Sequence, residues 1–242
     1  MRTESFHTPG EVSLRIRIPA GRVDIETIEA DETRVELESD PDVEEAAVVT
    51  ARGGEVVVEI EERRLLFLRT APQARVRVTC PHGARLVFKG ISTDLAVRGG
   101  TGAAEIKTVS GDVELGRVEG DLEVKSVSGD VAVDAVAGRT TVNSVSGDIR
   151  IGAADGSVTA QTVSGDQRLG AVAEGTVTLK SVSGDMHVGI RPGTRLWVDA
   201  KSVSGDTSSE LAVGDTPVDG EGPMVELRAT AMSGDIRVVR TQ

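Results

Sequence analysis

Residues 111–128 read GDVELGRVEGDLEVKSVS, and the phrase that closes them, Ser126-Val127-Ser128-Gly129-Asp130, decides the fold. The phrase and its close variants end at Asp112, Asp130, Asp148, Asp166, Asp185, Asp206 and Asp235. The first four are spaced by 18 residues, and the later gaps are 19, 21 and 29. One step earlier, Ile91-Ser92-Thr93-Asp94 is a worn copy in the same register. A fixed period of this kind is the mark of stacked repeats.

Within one period the chain divides into two halves of nine, each opening on Gly-Asp. Val113, Val131 and Ile149 share one aliphatic column, and Leu115, Val133, Ile151, Leu169 and Val188 share the next. Val127, Val145, Val163, Val182 and Val203 make a third. Between the columns sit the outward candidates Glu114, Arg150, Arg168 and His187. A period of two in β-branched residues, broken by glycine, predicts short strands and not helices. One coil cannot bury its own apolar face, but stacked coils share a core. The expectation is an all-β, single-domain β-solenoid of ~18-residue coils, with ladder spacing of about 4.8 Å. A two-sided coil fits the nine-residue halves best; a triangular coil with three strands stays open.

Three stretches follow along one continuous domain. Residues 1–90 are irregular β coils and a cap, 91–206 are the regular stack, and 207–242 hold an acidic loop and strands expected to close the C-terminal end. In the first stretch, Gly53-Gly54 signals a hairpin and residues 42–47 a single helical turn. In the last, Pro217, Pro223 and a run of glycines and acids predict an exposed loop.

The stacked Asp column invites two readings. Asp112, Asp130, Asp148, Asp166, Asp185, Asp206 and Asp235 serve turn chemistry if glycine supplies positive φ and the carboxylates accept backbone N–H groups. They serve calcium if the chain is a nonapeptide β-roll, but the Gly triplets of that pattern are missing. Calcium also wants six to eight oxygens, and each turn offers one Asp. The turn reading is preferred, with no cofactor or metal expected. The serines that precede each Gly-Asp have no histidine at a fixed offset, so no nucleophile is assigned.

Charge is uneven. Residues 63–98 hold Arg63, Arg64, Arg69, Arg75, Arg77, Arg85, Lys89 and Arg98 against Asp94, which is +7 in a chain of net charge −12 and leaves −19 elsewhere. Arg63, Arg64, Arg69, Arg75, Arg77, Arg85 and Lys89 are the candidate binding residues, suited to an anionic partner. A solvated outward face is the bland alternative. The apolar run from Leu65 to Leu68 fits a buried strand or a docking segment.

Composition narrows the classes. Phe6, Phe67, Phe88 and Trp197 are the only aromatics, too few for a base-stacking platform, so no nucleic-acid partner is expected. Cys80 is alone and lies on the apolar side of an alternating run, which predicts a buried free thiol. Trp197 alternates out of phase with Leu196 and Val198 and is a candidate exposed aromatic. No leader-like segment and no run of about twenty apolar residues is present, so a cytoplasmic chain without a membrane span is expected. His7, His82 and His187 are scattered, and Gly99-Gly100-Thr101-Gly102 lacks the Lys-Ser/Thr of a phosphate loop. Catalysis is not expected.

Several stretches carry a resemblance. The strand–Pro19-Ala20-Gly21–strand unit, the VSGD turns, the segment VGIRPGTRLWVDAKSVSGD and the late VELRATAMSGDIRVVR resemble the bacterial putative-adhesin family of unknown function, the β-strand-repeat-containing proteins. The resemblance implies a single β-solenoid and no established activity. Function is therefore expected to be that of a scaffold or protein-interaction module. The partner is another protein or a second copy. The alternatives are an adhesin-like or envelope-associated protein drawn to an anionic surface, and a calcium-binding β-roll.

Overall fold

A computed structural model describes residues 1–60, 74–210 and 222–241. The backbone groups into two compact units, Met1–Gly120 with Lys125–Gly129 and Asp121–Val124 with Asp130–Gln242.

The first unit contains β1 (Arg2–His7), β2 (Ser13–Ile28), β3 (Glu32–Glu38), α1 (Pro41–Ala46), β4 (Val48–Arg52), β5 (Glu55–Glu59), β6 (Ala74–Pro81), β7 (Arg85–Thr101), β8 (Ala104–Lys107) and β9 (Val113–Val118). Its axis is β2, whose Leu14, Ile16, Ile18, Val23 and Ile25 are buried. β2 runs parallel to β7 from Ser13↔Arg85 to Glu26↔Arg98. Its other edge pairs in parallel with β5 and then β6. The first coil of the chain is thus an inner coil. The helical turn and the Gly53-Gly54 hairpin form where the sequence places them. Antiparallel strands close this end: β4 on β5, β3 on β6, and β1 on β3. Further on, β8 and β9 continue the parallel ladders of β7.

After β10 (Leu122–Lys125), the second unit contains β11 (Val131–Val136), β12 (Thr140–Asn143), β13 (Ile149–Ala154), β14 (Val158–Ser164), β15 (Gln167–Val172), β16 (Gly175–Ser183), β17 (Met186–Ile190), β18 (Arg195–Ser204), β19 (Thr207–Ser209), β20 (Met224–Ser233) and β21 (Ile236–Arg240). Each coil gives one strand to each of two ladders. One ladder runs β12, β14, β16, β20, β18, and the other runs β11, β13, β15, β17, β21, β19. This is a two-sided, all-parallel β-solenoid.

The order of the last coils departs from the sequence expectation. β20 and β21 do not close the end; they lie between the coil of β16 and β17 and the coil of β18 and β19. The inward row of β20, Val225, Leu227, Ala229 and Ala231, is fully buried. The matching row of β18, Leu196, Val198, Ala200 and Ser202, is half-buried and includes a hydroxyl. The wholly apolar row lies in the slot covered on both edges; the hydroxyl of Ser202 alone does not set that order, since Thr162 and Ser181 are buried at the same position in other coils.

Gly165 shows why the turn needs glycine. Its φ is +130°, and a Cβ there would strike the carbonyl oxygen of Gly147 in the coil beneath. Positive φ and close backbone stacking both require the missing side chain.

Candidate functional site

Each turn phrase builds four stacked rows. Strand alternation carries Leu179 inward, Lys180 outward, Ser181 inward and Val182 outward. The small hydroxyl residues Thr108, Ser126, Ser144, Thr162 and Ser181 therefore occupy the inner corner. Several of them donate to the carbonyl two residues on, as Ser144 Oγ does to Ser146 O at 3.0 Å and Thr162 Oγ1 to Ser164 O at 3.2 Å. A valine could not supply those donors.

The third aliphatic column is consequently outside the core. In the second unit, Val145, Val163, Val182, Met232 and Val203 follow one another in spatial order and are 45–83% exposed. In the first unit Ile91, Val109 and Val127 are exposed in the same way. Parity was the available signal: Val182 is in phase with Lys180, not with Leu179.

Beside the valine row runs a row of hydrogen-bond donors. In the second unit it is Asn143, Gln161, Lys180, Thr230 and Lys201, in register across the ladder. On the far side, beyond the turn, runs the Asp column. Its Oδ1 atoms accept backbone N–H groups from the next coil: Asp148 donates to Asp130 at 2.9 Å, Asp166 to Asp148 at 3.0 Å and Asp185 to Asp166 at 2.8 Å. The chain of bonds continues from Asp235 to Asp185 and from Asp206 to Asp235, both at 2.8 Å. In the first unit Asp112 donates to Asp94 at 3.1 Å. Arg150 adds ion pairs to Asp130 and Asp148 at 3.3 and 2.6 Å. Dipoles of the backbone N–H groups thus offset the mutual repulsion of stacked carboxylates.

The predicted basic residues are divided between faces. Arg75 and Arg77 lie on β6, where the cross-strand partners of Arg77 are Glu36 on β3 and Asp24 on β2. Glu38 and Arg22 flank Arg75. Asp24 holds Arg22 at 3.0 Å and raises its guanidinium pKa by hydrogen bonding first and charge second. Arg85 and Lys89 lie on β7, on another face, opposite Ser13 and Arg17 of β2. Arg15 and Arg17 enlarge the basic set there, but Glu55 and Glu59 pair with them at 2.7 and 3.2 Å. Next to them Lys107 binds Glu105 at 2.6 Å and lowers its carboxyl pKa, mainly through that hydrogen bond. Arg63, Arg64, Arg69 and the apolar run at 65–68 lie outside the described residues, as does most of the acidic loop.

Other singled-out residues have structural partners. Cys80 is buried, and desolvation pushes its thiol up to about 12. Trp197 is half-buried, with the guanidinium carbon of Arg228 5.8 Å from its ring centroid, a cation–π contact. His82 Nδ1 meets Thr27 Oγ1 at 2.9 Å, and that hydroxyl accepts from Gly100 N. Among the described residues no group of three His, Cys, Asp or Glu side chains could hold a metal ion, and no helix is long and apolar enough to cross a membrane.

Comparison with known proteins places the architecture. The sequence profile of the Toastrack DUF4097 family matches residues 6–175 and 142–239. A solved "putative adhesin" of Bacteroides fragilis is 14% identical, with 98% of this chain and 96% of that one covered and a TM-score of 0.61. Another "putative adhesin", from Parabacteroides distasonis, is 14% identical over 98% and 96% of the two chains, with a TM-score of 0.53. Likeness at this level is likeness of fold. No curated protein matches the chain.

Proposed function

The chain belongs to the Toastrack DUF4097 family, and on that footing we propose that it is a non-catalytic scaffold whose regular flank binds another protein. The observation that carries this reading is the outward aliphatic row Val145, Val163, Val182, Met232 and Val203. Soluble proteins rarely expose long contiguous apolar strips except at contact sites. Here the strip sits on strands locked in a ladder, so a partner meets a preordered surface and less entropy is lost on binding. The row contributes little to the core, yet the apolar residue type recurs coil after coil.

The anionic-surface alternative draws on Arg75 and Arg77 or on Arg85 and Lys89. Interleaved acids on both faces weaken that reading. The names of the similar solved structures favour a surface role, but at 14% identity they speak for fold alone.

The test is affinity capture from the native host with the wild-type chain and with Val145→Ser/Val163→Ser/Val182→Ser as baits. Thermal melts confirm that both baits are folded. The expected result is a specific protein retained by the wild type and lost by the triple variant. An unchanged set of captured proteins sinks the flank as the contact. Arg75→Glu with Arg77→Glu, run in parallel, tests the basic face by the same readout.

A further inference from the structure

We propose that the flank of the second unit is also self-complementary, and that a second copy of this chain packs on it side by side with the two solenoids running in the same direction. The inference rests on the flank being a binding surface and names one occupant.

The argument is the order of the rows. Across the flank come donors, then aliphatics, then the exposed turn serines Ser146, Ser164, Ser183, Ser233 and Ser204, then carboxylates. In successive coils Asn143 stands with Asp148, Gln161 with Asp166, Lys180 with Asp185, Thr230 with Asp235 and Lys201 with Asp206. The donor row contains no acid, and the carboxylate row contains no base. Let two such flanks face each other on a two-fold axis parallel to the ridge. Each donor row then lies opposite the partner copy's carboxylate row. Turn one copy end for end, and donors face donors while carboxylates face carboxylates. Only the parallel arrangement places unlike charges together, and like-charge juxtaposition costs several kcal/mol.

The coil spacing adds register. Both copies repeat at about 4.8 Å, so one matched coil aligns them all. In that register Val145 meets the other copy's Val145, and Val182 meets Val182, across the axis. A C2 contact of one patch with itself is the commonest symmetric interface.

The carboxylates have capacity left. Oδ1 of Asp166 and of Asp185 is taken by a backbone N–H, which leaves Oδ2 to receive a lysine or amide. Lys180 carries no ion pair among the described residues. Lys201 is held by Asp199 at 2.9 Å, but at 74% exposure that pair is readily exchanged. A ridge of five coils is about 20 Å long. A strip of that length and a few rows wide is smaller than a standard interface, so the association expected is weak.

The chain offers a clean probe. Cys80 is its one cysteine, buried and unreactive, so an introduced cysteine is the only accessible thiol. The experiment has two arms. Sedimentation equilibrium from about 1 to about 500 µM compares the wild type with Val145→Asp/Val163→Asp. Val145→Cys is then oxidised at the concentration where the wild type is half associated. The expected result is a wild-type dimer, a monomeric double variant with an unchanged melt, and a Val145→Cys disulfide dimer. With the five coils of the second unit fully overlapped, an end-for-end pairing sets Val145 against Val203, so a Val145→Cys disulfide marks the parallel register.

A monomer throughout the range overturns the proposal. So does a dimer that survives the aspartates, or one that fails to cross-link through Val145→Cys. A monomeric wild type whose serine variant still loses a host partner refutes self-association and leaves the scaffold standing. A dimer with no flank-dependent host partner does the reverse.

Discussion

The backbone N–H of Asp235 donates to Asp185 Oδ1 at 2.8 Å across a sequence separation of 50 residues, while Asp206, which comes between them in the chain, donates in turn to Asp235. The last coil to be synthesised is therefore clamped on both edges, and the coil before it is the outer one. That inversion makes the first prediction. Amides of Val225–Ala231 should exchange as slowly as those of Val177–Leu179, and amides of Leu196–Ala200 should exchange sooner. Hydrogen exchange read by mass spectrometry checks it. Protection that falls steadily toward the C-terminus would contradict the observed order.

The Asp column is structural in this account. Asp166→Asn keeps an acceptor for the N–H of Asp185 and should be near neutral. Asp166→Ala leaves that N–H to solvent and should cost about 1 kcal/mol in a denaturant titration. With Oδ1 already engaged, calcium should not move the thermal midpoint, and neither should a chelator. A calcium-dependent rise of several degrees would revive the β-roll reading.

Gly165→Ala should be among the most damaging single-methyl changes. The side chain would sit at a φ of +130° and against the Gly147 carbonyl. Gly193→Ala has φ of +81° with open space around its Cβ. Expected losses are above about 2 kcal/mol at Gly165 and about 1 kcal/mol at Gly193. Equal losses at the two sites would remove the close-stacking argument.

Outward and inward apolar rows should separate cleanly in stability. Leu179→Ala, in the buried row, should cost about 2–5 kcal/mol. Val163→Ala, in the exposed row, should stay within about 0.5 kcal/mol. Chemical denaturation of both variants decides it, and a large loss at Val163 would return that row to the core.

Cys80 gives a pH dependence of defined sign. Burial favours the neutral thiol and raises its pKa from 9.0 to about 12. Above pH 9 the unfolded chain loses the proton while the folded chain keeps it, so the unfolded state gains stability. The contribution is whole below pH 9 and is lost as pH climbs toward 12. Wild-type stability should fall relative to Cys80→Ala over that window. A thiol reagent at pH 8 should label the native wild type only as fast as the chain unfolds.

How far the sequence alone determined the protein is visible in particular residues. The period from Asp112 to Asp166, the glycine before each Asp, and the alternation of Val113 and Leu115 with polar neighbours specify a stacked coil of short strands, because side-chain parity and positive φ are local properties, while the choice of two sides over three came from the pairing. The burial of Cys80 was legible for the same reason, and so was the acceptor character of the Asp column, but its donors lie one coil away, 18 to 50 residues along the chain. The Val145–Val163–Val182 row was misassigned, since residue type suggested core while parity pointed out, and parity prevailed where the inner corner takes a small residue, a hydroxyl in most coils and Ala231 in one. Arg85 and Lys89 gained Arg15 and Arg17 as neighbours, and Glu55 and Glu59 as counter-ions, through pairing across the ladder. No spacing along the chain encodes that pairing. The order of the last two coils was beyond the sequence as well. Both carry the same turn and a compatible register, so local pattern is degenerate between them. The tertiary pairing decides it: the row of Val225, Leu227, Ala229 and Ala231 is fully buried in the doubly covered slot, while the row of Leu196, Val198, Ala200 and Ser202 stays half-buried at the ladder edge.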